Sequence, residues 1–271
     1  LKDTLHLKEE LSLANESLKI PLLTAIDQEG GQVNRLQAIS PEWKNLPSAK
    51  EMRTMTDDSV YNLAKQIGNA LHHYGINLNL APVLDPPKDS KGKPSFIEVS
   101  NRSFGEFETA VPKIRSFVKG MKESKVLSTS KHFPGYDSWT NSDHQIAFST
   151  SSKDVILKNV ELFKEFADEI PVVMLSSVRF VRLSNTPAVF NPKITAMARE
   201  ISPYTVLLTD DLWGVSLRAW ISGTDKAKGK NYPSKDFKKL IRTVLWARND
   251  MFMITYPAKA VEMIAYLEWL G

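Results

Sequence analysis

Lys131 and His132 stand side by side after an apolar run, Val126-Leu127-Ser128-Thr129-Ser130, and lead straight into Phe133-Pro134-Gly135. The run reads as a buried strand. A charged pair delivered at the end of such a strand, into a Pro-Gly turn, is where an α/β barrel keeps its reacting groups. Three other strand ends carry similar cargo: Asp27-Gln28-Glu29-Gly30-Gly31, Asn101-Arg102-Ser103-Phe104-Gly105 and Thr209-Asp210-Asp211-Leu212. One polar strand end could be chance. A set of four points to a single site that binds and cuts something polar.

The residue types narrow the chemistry. Asp210 ends the run Thr205-Val206-Leu207-Leu208-Thr209, so its carboxylate would emerge at the mouth of a barrel, where it could attack an anomeric carbon or hold a metal. The competing reading is that Asp210 or Asp211 caps the next helix. Adjacent acids point in different directions, so only one can readily face a site. His144 lies in the polar stretch Asn141-Ser142-Asp143-His144; a loop histidine near an acid can serve as general acid and base, and otherwise is surface. The turn after Ala25-Ile26 is no phosphate loop, since neither GxGxxG nor GxxxxGK[ST] occurs and its acids would repel phosphate. They suit a neutral polyol, whose hydroxyls donate to carboxylates. Arg35, Arg102 and Lys131 add donors, though each alone could be a structural ion pair. A metal site is not expected: Cys is absent, there are five His, and His72-His73 are adjacent on a helix and do not face each other. No cofactor is expected either.

The elements that must position these groups recur regularly. Continuous apolar runs cover Pro21–Ile26, Ile76–Ala81, Lys125–Ser130, Pro171–Leu175, Thr205–Leu208 and Met251–Thr255. Continuity without alternation indicates strands buried on both faces of a parallel sheet. Between them, Val60–His73, Val111–Met121 and Val155–Phe166 carry helical apolar spacing, and Leu1–Leu18 reads as a leading helix. The segment Trp213–Ser234 reads as a long surface loop, with a mobile lid as the alternative. The rhythm describes one α/β domain over residues 1–271. Six strands are two short of a (β/α)8 TIM-type barrel, so the expectation is a barrel domain that is N-terminally incomplete, its first two strands lying before Leu1.

The totals exclude several classes. The 271 residues are 42% hydrophobic and 24% charged, which suits a globular core. Lys+Arg 35 against Asp+Glu 31 gives only +4. The one basic cluster, Lys226-Ala227-Lys228-Gly229-Lys230, has no interleaved aromatics and reads as a solvated loop, so no nucleic-acid partner is expected. No run is long enough to span a membrane. Absence of cysteine fits a reducing compartment, so a cytoplasmic location is expected, with export left open by the non-Met start. A monomer is the default for a single domain of this kind.

Taken in order, Asp27-Gln28-Glu29-Gly30-Gly31-Gln32-Val33-Asn34-Arg35, Asn79-Leu80-Ala81-Pro82-Val83-Leu84-Asp85, Asn101-Arg102-Ser103-Phe104-Gly105, Lys131-His132-Phe133-Pro134-Gly135 and Thr209-Asp210-Asp211-Leu212 resemble the family 3 glycoside hydrolases, and within them the β-N-acetylglucosaminidase branch. The resemblance runs from about Lys8 to the C-terminus. It implies a (β/α)8 barrel with two strands ahead of the Asp-x-Glu-Gly-Gly motif. It also implies Asp210 as nucleophile, His144 as general acid/base, and Asp27, Arg35, Arg102, Lys131 and His132 as the residues that hold a non-reducing-end sugar. The implied activity is retaining exo-hydrolysis of N-acetylglucosamine from chitobiose-like or peptidoglycan-derived oligosaccharides. Related β-glucosidases draw their acid/base carboxylate from a second domain; a chain that stops at the barrel needs one in a barrel loop, which again indicates His144. Three positions depart from the family pattern. Ser142-Asp143-His144 stands where Asp-Ser-His is usual, Tyr136-Asp137-Ser138 where His-Gly-Asp is usual, and Ser177 where a histidine is common. A carboxylate two residues before the histidine would stabilise imidazolium; Ser142 would not. Asp143 or Asp137 would have to replace it. The alternative is a sugar-binding barrel of the same family with impaired turnover.

Overall fold

The computed structural model describes residues 6–224 and 232–271. All six apolar runs become strands of one parallel sheet: β1 (Ala25–Ile26), β2 (Leu78–Asn79), β3 (Leu127–Phe133), β4 (Val172–Leu175), β5 (Val206–Asp211) and β6 (Met251–Met253). Their order in the sheet is their order in the chain. Ala25 pairs with Leu78, Leu78 with Leu127, Thr129 with Val172, Leu175 with Thr209 and Leu208 with Met251. Each strand therefore neighbours the next, the stepwise winding of a barrel rather than the reversal of a doubly wound sheet. Among the described residues the winding stops at six strands, leaving β1 and β6 as edges. The α/β class is thus observed, and the sheet corresponds to an open part of a barrel.

Helices return the chain between strands. Asp57–His73 leads to β2, Phe107–Glu123 to β3, Lys153–Glu165 to β4 and Pro192–Arg199 to β5, while Val215–Ser222 and Ser234–Trp246 lie between β5 and β6. Alternate residues of each strand go to opposite faces. Val173, Leu175 and Leu207 join the large core under the helices, with Ile67, Phe117, Phe163 and Phe190. Leu78, Leu80, Val172, Met174 and Leu208 form a separate small cluster on the other face. That second cluster explains why the strand runs are apolar throughout: both faces are covered.

The boundaries differ from the sequence reading in three places. Only Ala25–Ile26 of the first run is strand, because Asn77 replaces ladder bonds upstream: its side chain accepts from Thr24 N–H at 2.8 Å and donates to Leu22 C=O at 2.8 Å. β3 continues through Lys131, His132 and Phe133 instead of turning at Ser130, so the charged pair belongs to the strand itself. The expected loop Trp213–Ser234 contains the helix Val215–Ser222, which ends at Gly223 with φ +64°; Val215, Leu217, Ala219 and Ile221 supply its apolar character, and a left-handed C-terminal glycine ends it. The leading helix is Leu7–Glu16. The lysine cluster at 226–230, and with it most of the expected lid, lies outside the described residues.

The helices Asp57–His73 and Phe107–Glu123 pack closely through glycine. A Cβ on Gly120 would lie 2.7 Å from both Lys65 N and Tyr61 O, which are backbone atoms that cannot swing aside. Gly120→Ala should therefore push the helices apart and lower stability by about 1–3 kcal/mol, read as a shift of the urea midpoint with the slope unchanged.

Candidate active site

The hairpin Gln28–Gly30 and Val33–Asn34 directly follows β1. Buried Gln28 holds it. Its Oε1 accepts from Arg35 N–H at 2.8 Å and Leu36 N–H at 3.0 Å, and its Nε2 donates to Asn34 Oδ1 at 3.1 Å. Asn79 on β2 clamps the Gln28 backbone from both sides, accepting from its N–H at 3.0 Å and donating to its C=O at 2.9 Å. Gly30 has φ +93°, and a Cβ there would sit 2.2 Å from Pro47 O, so only glycine fits. The fixed hairpin presents Asp27 and Glu29 toward the end of β3.

There they meet Lys131. Its ammonium is 3% exposed and lies 2.6 Å from Asp27 Oδ1 and 2.6 Å from Glu29 Oε1. Arg102 closes the network with a two-pronged contact to Glu29, Nε at 2.8 Å and Nη2 at 2.9 Å. Burial alone would push the Glu29 carboxyl up, but the charges and hydrogen bonds of Arg102 and Lys131 together outweigh it and hold the group well below the usual carboxylate range. Burial likewise opposes the charge on Lys131, and the carboxylates of Asp27 and Glu29 overcome it, raising the ammonium above its ordinary value.

His132, the next residue, turns to another acid. Its Nδ1 lies 2.6 Å from Asp85 Oδ2, and Asp85 Oδ1 accepts from the backbone N–H of His132 at 2.8 Å and of Tyr136 at 2.6 Å. Asp85 is acceptor-only, so Nδ1 carries the proton and Nε2 is left for a ligand.

At the end of β5 the two acids separate as expected of neighbours. Asp211 is tied down: it accepts from Trp213 N–H at 3.0 Å, Thr255 N–H at 3.0 Å and Thr255 Oγ1 at 2.6 Å. Burial pushes its carboxyl up against these bonds. Asp210 takes only the Asp211 N–H at 2.8 Å and the hydroxyl of Ser177 at 2.6 Å. Neither acid caps the next helix, whose N-cap is Gly214 without a side-chain bond; Asp211 is held by the turn and by Thr255, and Asp210 is the acid with capacity left over.

One cavity of about 210 Å³ collects these groups: Asp27, Arg35, Arg102, Lys131, His132 and Asp210 all line it, with Glu29 and Asp211 among the other lining residues. Larger hollows of about 660 and 360 Å³ lie between the last two helices and beside Phe107, but neither gathers the strand-end charges. Six of the seven site residues expected from the sequence therefore meet in one place. His144 is the exception. Its neighbours Asn141, Ser142 and Asp143 line the cavity, whereas His144 is exposed and outside the lining. Its ring makes no hydrogen bond among the described residues. Asp137 does not approach it either, being buried and bonded to the Ser151 hydroxyl. Three partners are not among the site residues expected from the sequence: Glu29, Asp85 and Ser177. Glu29 has a usable signal, since two strand-end cations with a single assigned acid leave one charge unbalanced. Among the described residues no cluster of His, Cys, Asp and Glu could hold a metal ion, and no helix is long and apolar enough to cross a membrane.

With this geometry in view, the comparisons with known proteins agree with one another. The family described as "Glycosyl hydrolase family 3 N terminal domain" matches residues 2–212. The chain is 28% identical over 214 residues to a β-hexosaminidase of Pseudomonas aeruginosa, covering 75% of this chain and 61% of the relative. It is 26% identical over 208 residues to the β-hexosaminidase LpqI of Mycobacterium tuberculosis, covering 73% and 52%. The chain thus spans little more than half the length of these curated relatives. Among solved structures, a β-N-acetylhexosaminidase from Beutenbergia cavernae superposes with a TM-score of 0.80 at 25% identity, over 97% of this chain and 77% of that one. NagZ from Neisseria gonorrhoeae, solved with N-trifluoroacetyl-D-glucosamine, superposes with a TM-score of 0.78 at 21% identity, over 97% and 74%, a likeness of fold.

The charge network makes a stability prediction. Glu29→Gln leaves Arg102 and Lys131 short of a buried counter-charge and should cost about 3–5 kcal/mol at neutral pH. The Glu29 carboxyl lies below its ordinary 4.5 in the folded protein, so its contribution is complete above that pH and is lost as pH falls through the lower, folded value. Urea midpoints of wild type and variant should accordingly be far apart at pH 7 and converge in acid below about pH 4.5; a gap that does not narrow would contradict the assignment.

Proposed function

Because this chain belongs to glycosyl hydrolase family 3, matched over the N-terminal domain, we propose that it removes non-reducing terminal N-acetylglucosamine from chitobiose-like or peptidoglycan-derived oligosaccharides with retention of configuration. The observation that carries this reading is the buried Asp27–Lys131–Glu29–Arg102 network lying in the same cavity as Asp210. A fixed set of donors and acceptors beside an available carboxylate suits a hydroxyl-rich ring held for attack at one carbon. The names of the relatives support the class of sugar.

In this mechanism Asp27, Arg35, Arg102, Lys131 and His132 hold the terminal sugar. Asp210 attacks the anomeric carbon as the glycosidic oxygen departs with a proton from His144, giving a covalent glycosyl-enzyme. Neutral His144 then takes a proton from water as the water oxygen attacks the anomeric carbon and the bond to the Asp210 carboxylate breaks, releasing the sugar with retained configuration. The proton step requires the 141–144 segment to bring the exposed imidazole inward past Asp143, which already lines the cavity. The barrel would be completed by two further strands joining the open edges at β1 and β6.

A second reading has an observation of its own. The His144 ring has no carboxylate partner among the described residues, and Ser142 stands where the family usually has the acid. A barrel that binds N-acetylglucosamine with little turnover fits that departure.

Hydrolysis of 4-nitrophenyl N-acetyl-β-D-glucosaminide and of chitobiose separates the two. The enzyme reading expects Asp210→Ala to abolish turnover of both. It expects His144→Ala to slow chitobiose by about 10²–10⁴-fold and the nitrophenyl substrate much less, because nitrophenolate leaves without a proton. Saturable N-acetylglucosamine binding with no turnover by the unmutated protein would establish the binding barrel instead.

A further inference from the structure

The helix Val215–Ser222 follows the two acids at the end of β5, and its second residue, Ser216, is fully buried. An N–H in the first turn has no partner inside its own helix. That of Ser216 donates to Ser142 C=O at 3.0 Å. Its hydroxyl, with one proton and two lone pairs, donates to Ser177 C=O at 3.2 Å and accepts from Ala147 N–H at 3.3 Å. One small residue thus joins the turn after β4 to both ends of the loop 142–147, the loop that carries His144. Ser142 and Ala147 are buried, whereas Asp143, His144 and Gln145 between them are exposed. The exposed tip stands on two buried feet, and Ser216 holds both.

Ser177 completes the link to the reacting carboxylate. It is buried, and its neighbours pin the turn on which it stands: Ser176 N–H donates to Phe133 C=O at 2.9 Å, Val189 N–H to Ser176 C=O at 3.1 Å and Val178 N–H to Ser176 Oγ at 3.1 Å. The Ser177 hydroxyl donates to Asp210 Oδ2 at 2.6 Å, while Asp211 N–H donates to Asp210 Oδ1 at 2.8 Å. One bond on each oxygen fixes the plane of the carboxylate. With either bond alone the group could still turn about Cβ–Cγ. Neither Ser177 nor Ser216 lines the cavity, so neither is placed to hold a sugar directly.

We propose that Ser177 and Ser216 are positioning residues for the hydrolysis: Ser177 aims the Asp210 carboxylate, and Ser216 ties that serine to both feet of the loop that carries His144. The inference rests on the roles proposed above for Asp210 and His144, and it supplies a buried connection between them. The two hydroxyls act on different groups, so their losses have different signatures. Without the Ser177 hydroxyl the nucleophile is free to turn away from attack. Without the Ser216 hydroxyl the foot at Ala147 loses the partner of its N–H, and the imidazole is no longer delivered from a fixed base.

The test compares Ser177→Ala, Ser216→Ala and Asp210→Ala with the parent protein. Values of kcat/KM for chitobiose and for 4-nitrophenyl N-acetyl-β-D-glucosaminide report the first chemical step, and calorimetry with N-acetylglucosamine reports the state of the sugar-holding residues. Both substrates need the nucleophile, so Ser177→Ala should slow both alike, by about 10–100-fold, the scale of a hydrogen bond to a charged group. Chitobiose alone needs the proton, so Ser216→Ala should slow it by about tenfold or more and the nitrophenyl substrate far less. N-acetylglucosamine should bind both serine variants as it binds the parent. Parental rates in either serine variant, weakened N-acetylglucosamine binding, or equal slowing of the two substrates by Ser216→Ala would overturn the positioning roles while the reaction stands. Turnover that survives in Asp210→Ala, or that is missing from the parent protein, would overturn the reaction and these roles with it.

Discussion

The ammonium of Lys131, buried between Asp27 and Glu29, is the contact that holds the remainder of the site in place. Removing a lysine and two carboxylates from water costs several kcal/mol per ion, and attraction recovers it only when the geometry is good and the remaining lone pairs are satisfied. Here the second requirement is met by Arg102, whose two-pronged contact takes both oxygens of Glu29. Two cations then face two anions with little net charge. Such an arrangement stabilises the fold little compared with apolar packing. What it provides is a set of donors and acceptors fixed before any ligand arrives, so that a polyol replaces water without the site having to reorganise.

The parallel sheet makes that arrangement possible. Stepwise winding brings the carboxyl ends of β1, β3 and β5 to one side, and the hairpin, Arg102 and Asp210 all project from that side. Side-chain amides do the local fixing. Asn77 and Asn79 on or beside β2 hold the chain leading into and out of β1, and Gln28 folds the hairpin back on itself. Apolar residues could not have done this, because each of the two asparagines satisfies an N–H and a C=O beside the short first strand, and Gln28 takes two N–H groups of the hairpin.

The site is legible in the sequence to the extent that strands carry it. Continuous apolar runs followed by charges locate Asp27, Lys131, His132 and Asp210, and the sheet delivers all four into one cavity. Pairing is less legible, because polar pairs such as Glu29 with Arg102 or Asp85 with His132 join residues 73 and 47 positions apart, and only the winding of the sheet brings them together. Asp210 and Asp211 show the same limit: adjacency says that they diverge, but which of them is tied down is decided by Thr255, a residue 44 positions away. The helix Val215–Ser222 hides in a stretch that reads as loop because the flanking glycines at 214 and 223 punctuate so short a run, though the second of them is what terminates the helix.

The remaining part of the cavity rests on a loop. Asn141 to Asp143 reach the site from a segment outside the sheet, and among the described residues no acid is bonded to the ring of His144 to steady its charge. The residues proposed to hold the sugar and the histidine proposed to move the proton therefore stand on different elements, sheet ends and a loop. Among the described contacts no residue from 136 to 144 bonds Lys131, Glu29 or Arg102; the segment meets the strand-borne groups through Tyr136, which bonds Asp85 and packs on the ring of His132. This separation explains how Asp-Ser-His can become Ser142-Asp143-His144 in a chain that still keeps the strand-borne residues its family resemblance implies. A dyad built on the sheet would have been constrained along with the binding residues. A loop outside the sheet is free of that constraint.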